Sequence, residues 1–106
     1  MAAVHEHLFD VEAAKRRLEE GGYEIVHTSP GLEVGVYVLV APEPDRQQPH
    51  EDDEVYVVLE GSGTLQVEDE EVDLEEGQAM FVAAHAEHRF TAYERLSLLV
   101  IFTRPT

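Results

Sequence analysis

The 106-residue chain has no cysteine, which excludes both disulfides and thiolate metal sites. Basic residues are scarce: Lys and Arg number 7 against 23 Asp and Glu, for a formal net charge of −16. Such a surface repels nucleic-acid phosphates and anionic lipid headgroups, so neither nucleic acid nor a membrane is expected as a partner. No apolar run approaches the ~20 residues that span a bilayer, and no apolar stretch follows a basic start. The expectation is a cytoplasmic protein with residues 1–106 forming one domain around a single hydrophobic core. Acidity first of all keeps such a protein soluble. It also concentrates cations at the surface, which is compatible with a metal site without indicating one.

Helix signals are few. Residues 8–20, LFDVEAAKRRLEE, form the one candidate, with Asp10 as N-cap, Glu12 in the positive first turn and Gly21-Gly22 as the stop. Leu8, Val11, Ala14 and Leu18 recur at helical spacing and make one apolar stripe, which suits packing, not chemistry. From Tyr23 to about residue 103 the pattern is β. Strands are expected at 23–28, 32–41, 54–60, 63–68, 71–74, 78–83, 87–92 and 96–102. The turns between them fall at Ser29-Pro30-Gly31, the Pro42 to Pro49 loop, Gly61-Ser62-Gly63, Asp69-Glu70, Glu76-Gly77 and Tyr93-Glu94. Many short strands with one short N-terminal helix predict an all-β fold, an antiparallel β-barrel or sandwich.

Three of these runs are apolar on both faces: VGVYVLVA at 34–41, VYVVL at 55–59 and LSLLVIF at 96–102. One face of each can line a barrel interior. A single short helix cannot cover the other face of all three, so a homodimer is expected.

The chemistry concentrates in two stretches. The first, from Gln48 to Gly61, reads QPHEDDEVYVVLEG and places a nitrogen donor, His50, and an oxygen donor, Glu54, at the entry to a strand. The second, AMFVAAHAEHRF at 79–90, supplies His88 on another strand. With Glu54 pointing inward, alternation sends Tyr56 and Val58 inward too, and it groups His88 with Phe90 and Ala92. The predicted site is a polar end of His50, Glu54 and His88 followed by Tyr56 and Phe90 as substrate contacts in a small-molecule pocket. Two imidazoles and a carboxylate suit one divalent transition metal (Zn, Fe, Mn or Ni) with coordination positions left open. Bland readings stand beside these. Glu54 closes an acidic run that could be solvated, His85 is the alternative to His88, and Tyr56 and Phe90 could be core packing. His27 has no matched partner. No Ser-His-Asp set, phosphate loop or nucleotide fingerprint competes.

These residues resemble the cupin family. Its first block is His-x-His, three or four residues, Glu, six residues and Gly; here His50 lies four before Glu54, and six residues separate Glu54 from Gly61. Its second block is Gly, five residues, Pro-x-Gly, two residues and His; here Gly77 precedes Gln78 to Val82, and His88 falls at the ligand position. The first His of the pair is Gln48, Pro-x-Gly is Ala83-Ala84-His85, and the terminal Asn is Ala92. The resemblance implies a jelly-roll barrel, a three-ligand metal site and Gln48 as a weak fourth ligand. It also implies a metal-dependent enzyme of dioxygenase or isomerase type, with a non-catalytic metal- or ligand-binding barrel as the alternative.

Overall fold

Asp10 opens the helix as its sequence position suggests, with its side chain accepting a hydrogen bond from the Ala13 amide at 3.0 Å. The computed structural model describes residues 4–103, and in it helix α1 runs Val11–Arg17, after a 3-10 turn over Val4–His7. Gly21, at φ 99, closes the C-terminal end by donating its amide to the Leu18 carbonyl. The helix is shorter than residues 8–20. Leu8 lies outside it and is 82% exposed, so the apolar stripe reduces to Val11, Ala14 and Leu18, which pack against Val36 and Val38.

Among the described residues six antiparallel strands follow: β1 Gly22–Ser29, β2 Leu32–Val40, β3 Asp53–Val67, β4 Glu70–Glu75, β5 Ala79–Val82 and β6 His88–Thr103. Their order in the sheet is β1-β2-β6-β3-β4, and β5 pairs with the first half of β3. The sheet curls into a barrel whose interior holds Leu39, Tyr56, Val58, Leu65, Phe90 and Leu98 among its buried side chains. On β2 both faces are apolar because each has a partner. Tyr37 and Leu39 join the barrel core, while Val36 and Val38 meet α1.

Two expected turns are not turns. Residues 54–60 and 63–68 form one continuous strand, β3, and residues 87–92 and 96–102 form another, β6, because the two pair along their whole length. Glycine provides the bend without ending the ladder. Gly61 sits at φ 85, where a Cβ would lie 2.1 Å from the Arg95 carbonyl oxygen. Register shifts flank it between Val58 and Glu60 and between Gly61 and Gly63, so bulges absorb the extra residues while both strands turn the corner together.

Candidate metal centre

Alternation on β3 runs as the sequence pattern requires: Glu54, Tyr56 and Val58 are buried, and Val55, Val57 and Leu59 are half-buried on the other face. On β6, His88 and Phe90 are buried and Arg89 is exposed, but Ala92 is exposed and leaves the inward set. Glu54 stands opposite Phe102 on β6 and Val82 on β5. His50 comes from the β2–β3 loop, its ring edge-on to Phe102 at a centroid distance of 5.0 Å. The loop is fastened across the barrel, since the His85 amide donates to the His50 carbonyl at 2.6 Å. His85 itself sits in the β5–β6 turn at φ 69. The acidic run is therefore not simply solvated. Asp53 accepts from the Ala84 amide at 2.9 Å and holds the same turn, and Glu54 is 2% exposed.

His50, Glu54 and His88 each offer a ligand atom, and these atoms lie within 4.8 Å of one another. His88 Nε2 is 2.9 Å from Glu54 Oε1, yet the approach lacks hydrogen-bond geometry. His50 Nε2, His88 Nε2 and both Glu54 carboxylate oxygens are buried without a hydrogen-bond partner. That is costly in protein alone. The other nitrogen of His88 shows which atom is free to ligate: Nδ1 lies 2.8 Å from the Ala86 carbonyl, so Nδ1 carries the proton and donates it there. The Nε2 lone pair then faces a carboxylate, an arrangement that calls for a cation between them. Burial by itself lowers the His88 pKa. The Glu54 contact, the Ala86 carbonyl and the charges of Glu54 and Asp45 outweigh burial and hold it above the ordinary imidazole range. A divalent metal fits this donor set: two imidazole nitrogens and a carboxylate, all uncommitted.

The centre opens into a cavity of about 550 Å³, walled by Tyr37, Val100 and Phe102 and rimmed by Tyr23, Glu43 and Asp52 among others. Tyr56 and Phe90, expected as substrate contacts, do not line it. Both are fully buried, stacked edge-to-face at 5.1 Å behind the ligand group. Gln48, expected as a fourth ligand, is exposed and lines a second, polar depression with Gln66, Glu68, Gln47 and His88. Its neighbour Gln47 also reaches the cavity, which Gln48 does not. His27 stacks on Phe9 and approaches Ser29, far from any such cluster.

Gln47 belongs to a network that the sequence did not reveal, centred on Asp45. This carboxylate, 5% exposed, accepts from the Tyr37 hydroxyl (2.8 Å), the Gln47 amide (3.2 Å), Gln47 Nε2 (2.6 Å) and the Phe90 amide (2.8 Å). Gln47 Oε1 in turn accepts from the Tyr56 hydroxyl at 2.7 Å. Asp45 thereby pins the loop carrying His50 to β2 and β6, and nothing about an Asp between prolines and polar residues distinguishes it from a solvated loop acid. Burial first, then the Asp45 contact, pushes the Tyr37 hydroxyl far above its ordinary pKa. Burial and the Glu54 charge do the same to Tyr56.

An antiparallel barrel with two histidines and a glutamate gathered at one end defines a class of small metal-site barrels, and sequence comparison makes the class specific. The family model for the cupin domain, Cupin_2, matches residues 36–102. An uncharacterized protein of Streptomyces coelicolor is 34% identical over 93 residues, covering 87% of this chain and 89% of that one. The chain belongs to the cupin family. Among solved structures, a protein from Thermus thermophilus is similar at 29% identity with a TM-score of 0.78, covering 92% of this chain and 98% of that one. The cobalt(II) form of HppE in complex with Tris buffer is similar at 25% identity with a TM-score of 0.68, over 78% of this chain and 53% of the other.

Proposed function

We propose that this protein is a metal-dependent cupin enzyme acting on a small organic molecule, of dioxygenase or isomerase type, with His50, Glu54 and His88 holding one divalent transition metal. The observation that carries this is the set of buried, unpartnered ligand atoms within 4.8 Å of one another at the base of an open cavity. The likeness to the cobalt(II) form of HppE supports the choice of a transition metal. When bound, such a metal supplies Lewis-acid or O₂-directed chemistry through its open positions. The chain's own residues do the rest. Ala86 fixes the His88 tautomer, Phe102 seats the His50 ring, and Asp45 holds the loop between them. Tyr37, Val100 and Phe102 give the substrate an apolar wall that excludes water.

The protein acts in this reading as a cytoplasmic homodimer. Among the described residues no helix is long and apolar enough to cross a membrane. The outer face of β3 and β6, with Val55, Val57, Leu99 and Ile101, is half-buried within one chain, and Phe81 beside it is 57% exposed. α1 and β2 share a cluster that reaches Leu99, which leaves Val55, Val57 and Ile101 for a second copy.

Elemental analysis of purified protein should give one transition metal per chain. Ala at His50, Glu54 or His88 should abolish it, and His27→Ala should not. Oxygen uptake and product analysis over a panel of small substrates then read catalysis. Metal without turnover would favour the non-catalytic binding barrel, and retention of metal in all three variants would refute the site.

A further inference from the structure

The polar groups of the cavity are biased toward accepting hydrogen bonds. Tyr37 gives its hydroxyl proton to Asp45 and Tyr23 gives its own to Glu33, both at 2.8 Å, so each phenol proton is already committed to a carboxylate. Gln47 Nε2 is engaged by Asp45 as well. Burial keeps Tyr37 protonated, which maintains that arrangement across the physiological range. Carboxylates then dominate the rim. Glu43 and Asp52 face the cavity with Glu33, against one guanidinium, Arg46, in a chain whose net charge is −16. Glu54, 2% exposed and with both oxygens unpartnered, lies at the floor. Even after a divalent metal offsets Glu54, the mouth retains an excess of negative charge. Its walls are apolar and aromatic, with Tyr23 and Tyr37 in an edge-to-face pair at 5.9 Å. The Tyr23 ring can lie against β2 only because residue 35 is glycine: a Cβ there would fall 2.2 Å from the Tyr23 hydroxyl oxygen.

We infer that the cavity recognises a small organic cation, a protonated amine on a compact apolar or aromatic body, with the ammonium at the Glu43 and Asp52 side of the mouth and the body against Tyr37 and Phe102. This rests on the reading of the cavity as a substrate site beside the metal and goes beyond it by naming the charge and hydrogen-bonding character of the ligand. An ammonium brings donors to a surface of acceptors and a positive charge to a negative mouth, and it can sit over an aromatic face. In the metal-free protein an anionic ligand would meet Arg46 alone, against Glu33, Glu43, Asp52 and Glu54.

The test uses three probes of one shape: phenethylamine, 2-phenylethanol and phenylacetate. Each is titrated by calorimetry and NMR into metal-free and metal-loaded full-length protein, with metal content measured separately. In the metal-free form the amine should bind about tenfold or more tighter than the alcohol and tighter still than the anion, and in both forms tighter than the alcohol, with an affinity that falls as salt is added. Glu43→Gln with Asp52→Asn should weaken the amine by about fivefold or more while leaving metal content unchanged. Arg46→Gln should leave amine binding unchanged or tighten it. Equal binding of amine and alcohol, tighter phenylacetate binding lost in Arg46→Gln, or no binding of the amine to either form would each overturn the inference. Because both forms are titrated, amine selectivity without stoichiometric metal would sink the metal reading alone, and metal without amine selectivity would sink this one alone.

Discussion

Replacing Glu54 with Gln separates a metal ligand from a structural carboxylate. Glu54 is 2% exposed, neither oxygen has a hydrogen-bond partner, and the Nε2 lone pair of His88 lies 2.9 Å from Oε1. In metal-free protein at a pH above the raised folded value of His88, the carboxylate is an unpaired negative charge buried against a neutral lone pair. A buried unsatisfied group costs about 1–3 kcal/mol, and more when charged. Gln removes the charge, keeps the shape and supplies an N–H that can donate to His88. Metal-free Glu54→Gln should therefore be more stable than the wild type by about 1–3 kcal/mol, a melting temperature higher by roughly 5–15 °C for a chain of this size. With a ligating metal at about 1,000 times its dissociation constant, the wild type gains ~4.1 kcal/mol and the variant gains nothing. The order of stability should thus cross. Scanning calorimetry of both proteins, chelated and metal-loaded, reads it directly. If Glu54→Gln is less stable by the same amount with and without metal, the carboxylate is a satisfied structural group and the argument fails.

Three further outcomes are expected. Asp45→Ala leaves the Tyr37 hydroxyl, the Gln47 side chain and the Phe90 amide without their acceptor, so it should cost about 3–5 kcal/mol in urea unfolding and also weaken metal binding by loosening the His50 loop; a loss of under about 1 kcal/mol would show that the network is not a fastening. The raised pKa of His88 gives opposite pH dependences in the two forms. In metal-free protein, the stability from imidazolium beside Glu54 is fully present below the unfolded value of about 6.5 and is lost as pH rises through the higher folded value. Metal ligation needs neutral imidazole, so metal-derived stabilisation grows over that range, and a gap in melting temperature between loaded and chelated protein that narrows with rising pH would contradict the site. Val57 lies half-buried on the outer face beside Leu99 and Ala79, so Val57→Lys should dissociate the proposed dimer in light scattering while circular dichroism stays native; a wild type that is monomeric would refute the dimer, and a dimer unchanged by the substitution would move the interface elsewhere.

The family blocks and the strand alternation in the sequence were enough to bring three distant residues together on paper. Period-two alternation puts Glu54 and His88 inward, but β3–β6 register pairs Glu54 with Phe102 and His88 with Val67, at opposite ends of the ladder, so the two meet with His50 only because the sheet curls on itself. The β character of 23–103, the cap at Asp10 and the doubly apolar strands were legible for the same reason: side-chain periodicity and capping chemistry are local properties of the chain. What local properties do not carry was misread or missed. Glycines 61 and 63 look like a turn, yet the long pairing of β3 with β6 makes them a bend inside one strand. Leu8 fits the helical stripe but has no partner to hold it there.

The loop from 41 to 52 shows the divide most clearly. From the sequence, Gln48 is a weak fourth ligand, and a solvated acidic run is only the alternative to ligation by Glu54. In the structure Gln47 turns inward, Gln48 faces out, Asp45 is buried under four donors and Asp53 holds the opposite turn. A loop has no repeating period, so which of its side chains points inward depends on the donors that neighbouring strands happen to present. Here those donors are Tyr37 from β2, Tyr56 from β3 and the Phe90 amide from β6, residues 8 to 45 positions away from Asp45 and Gln47 along the chain. The sequence determined the barrel and the inward side of Glu54 and His88 by patterns that repeat. Tertiary structure alone decided how the cavity beside them is walled, because that rests on long-range hydrogen bonds with no local signature.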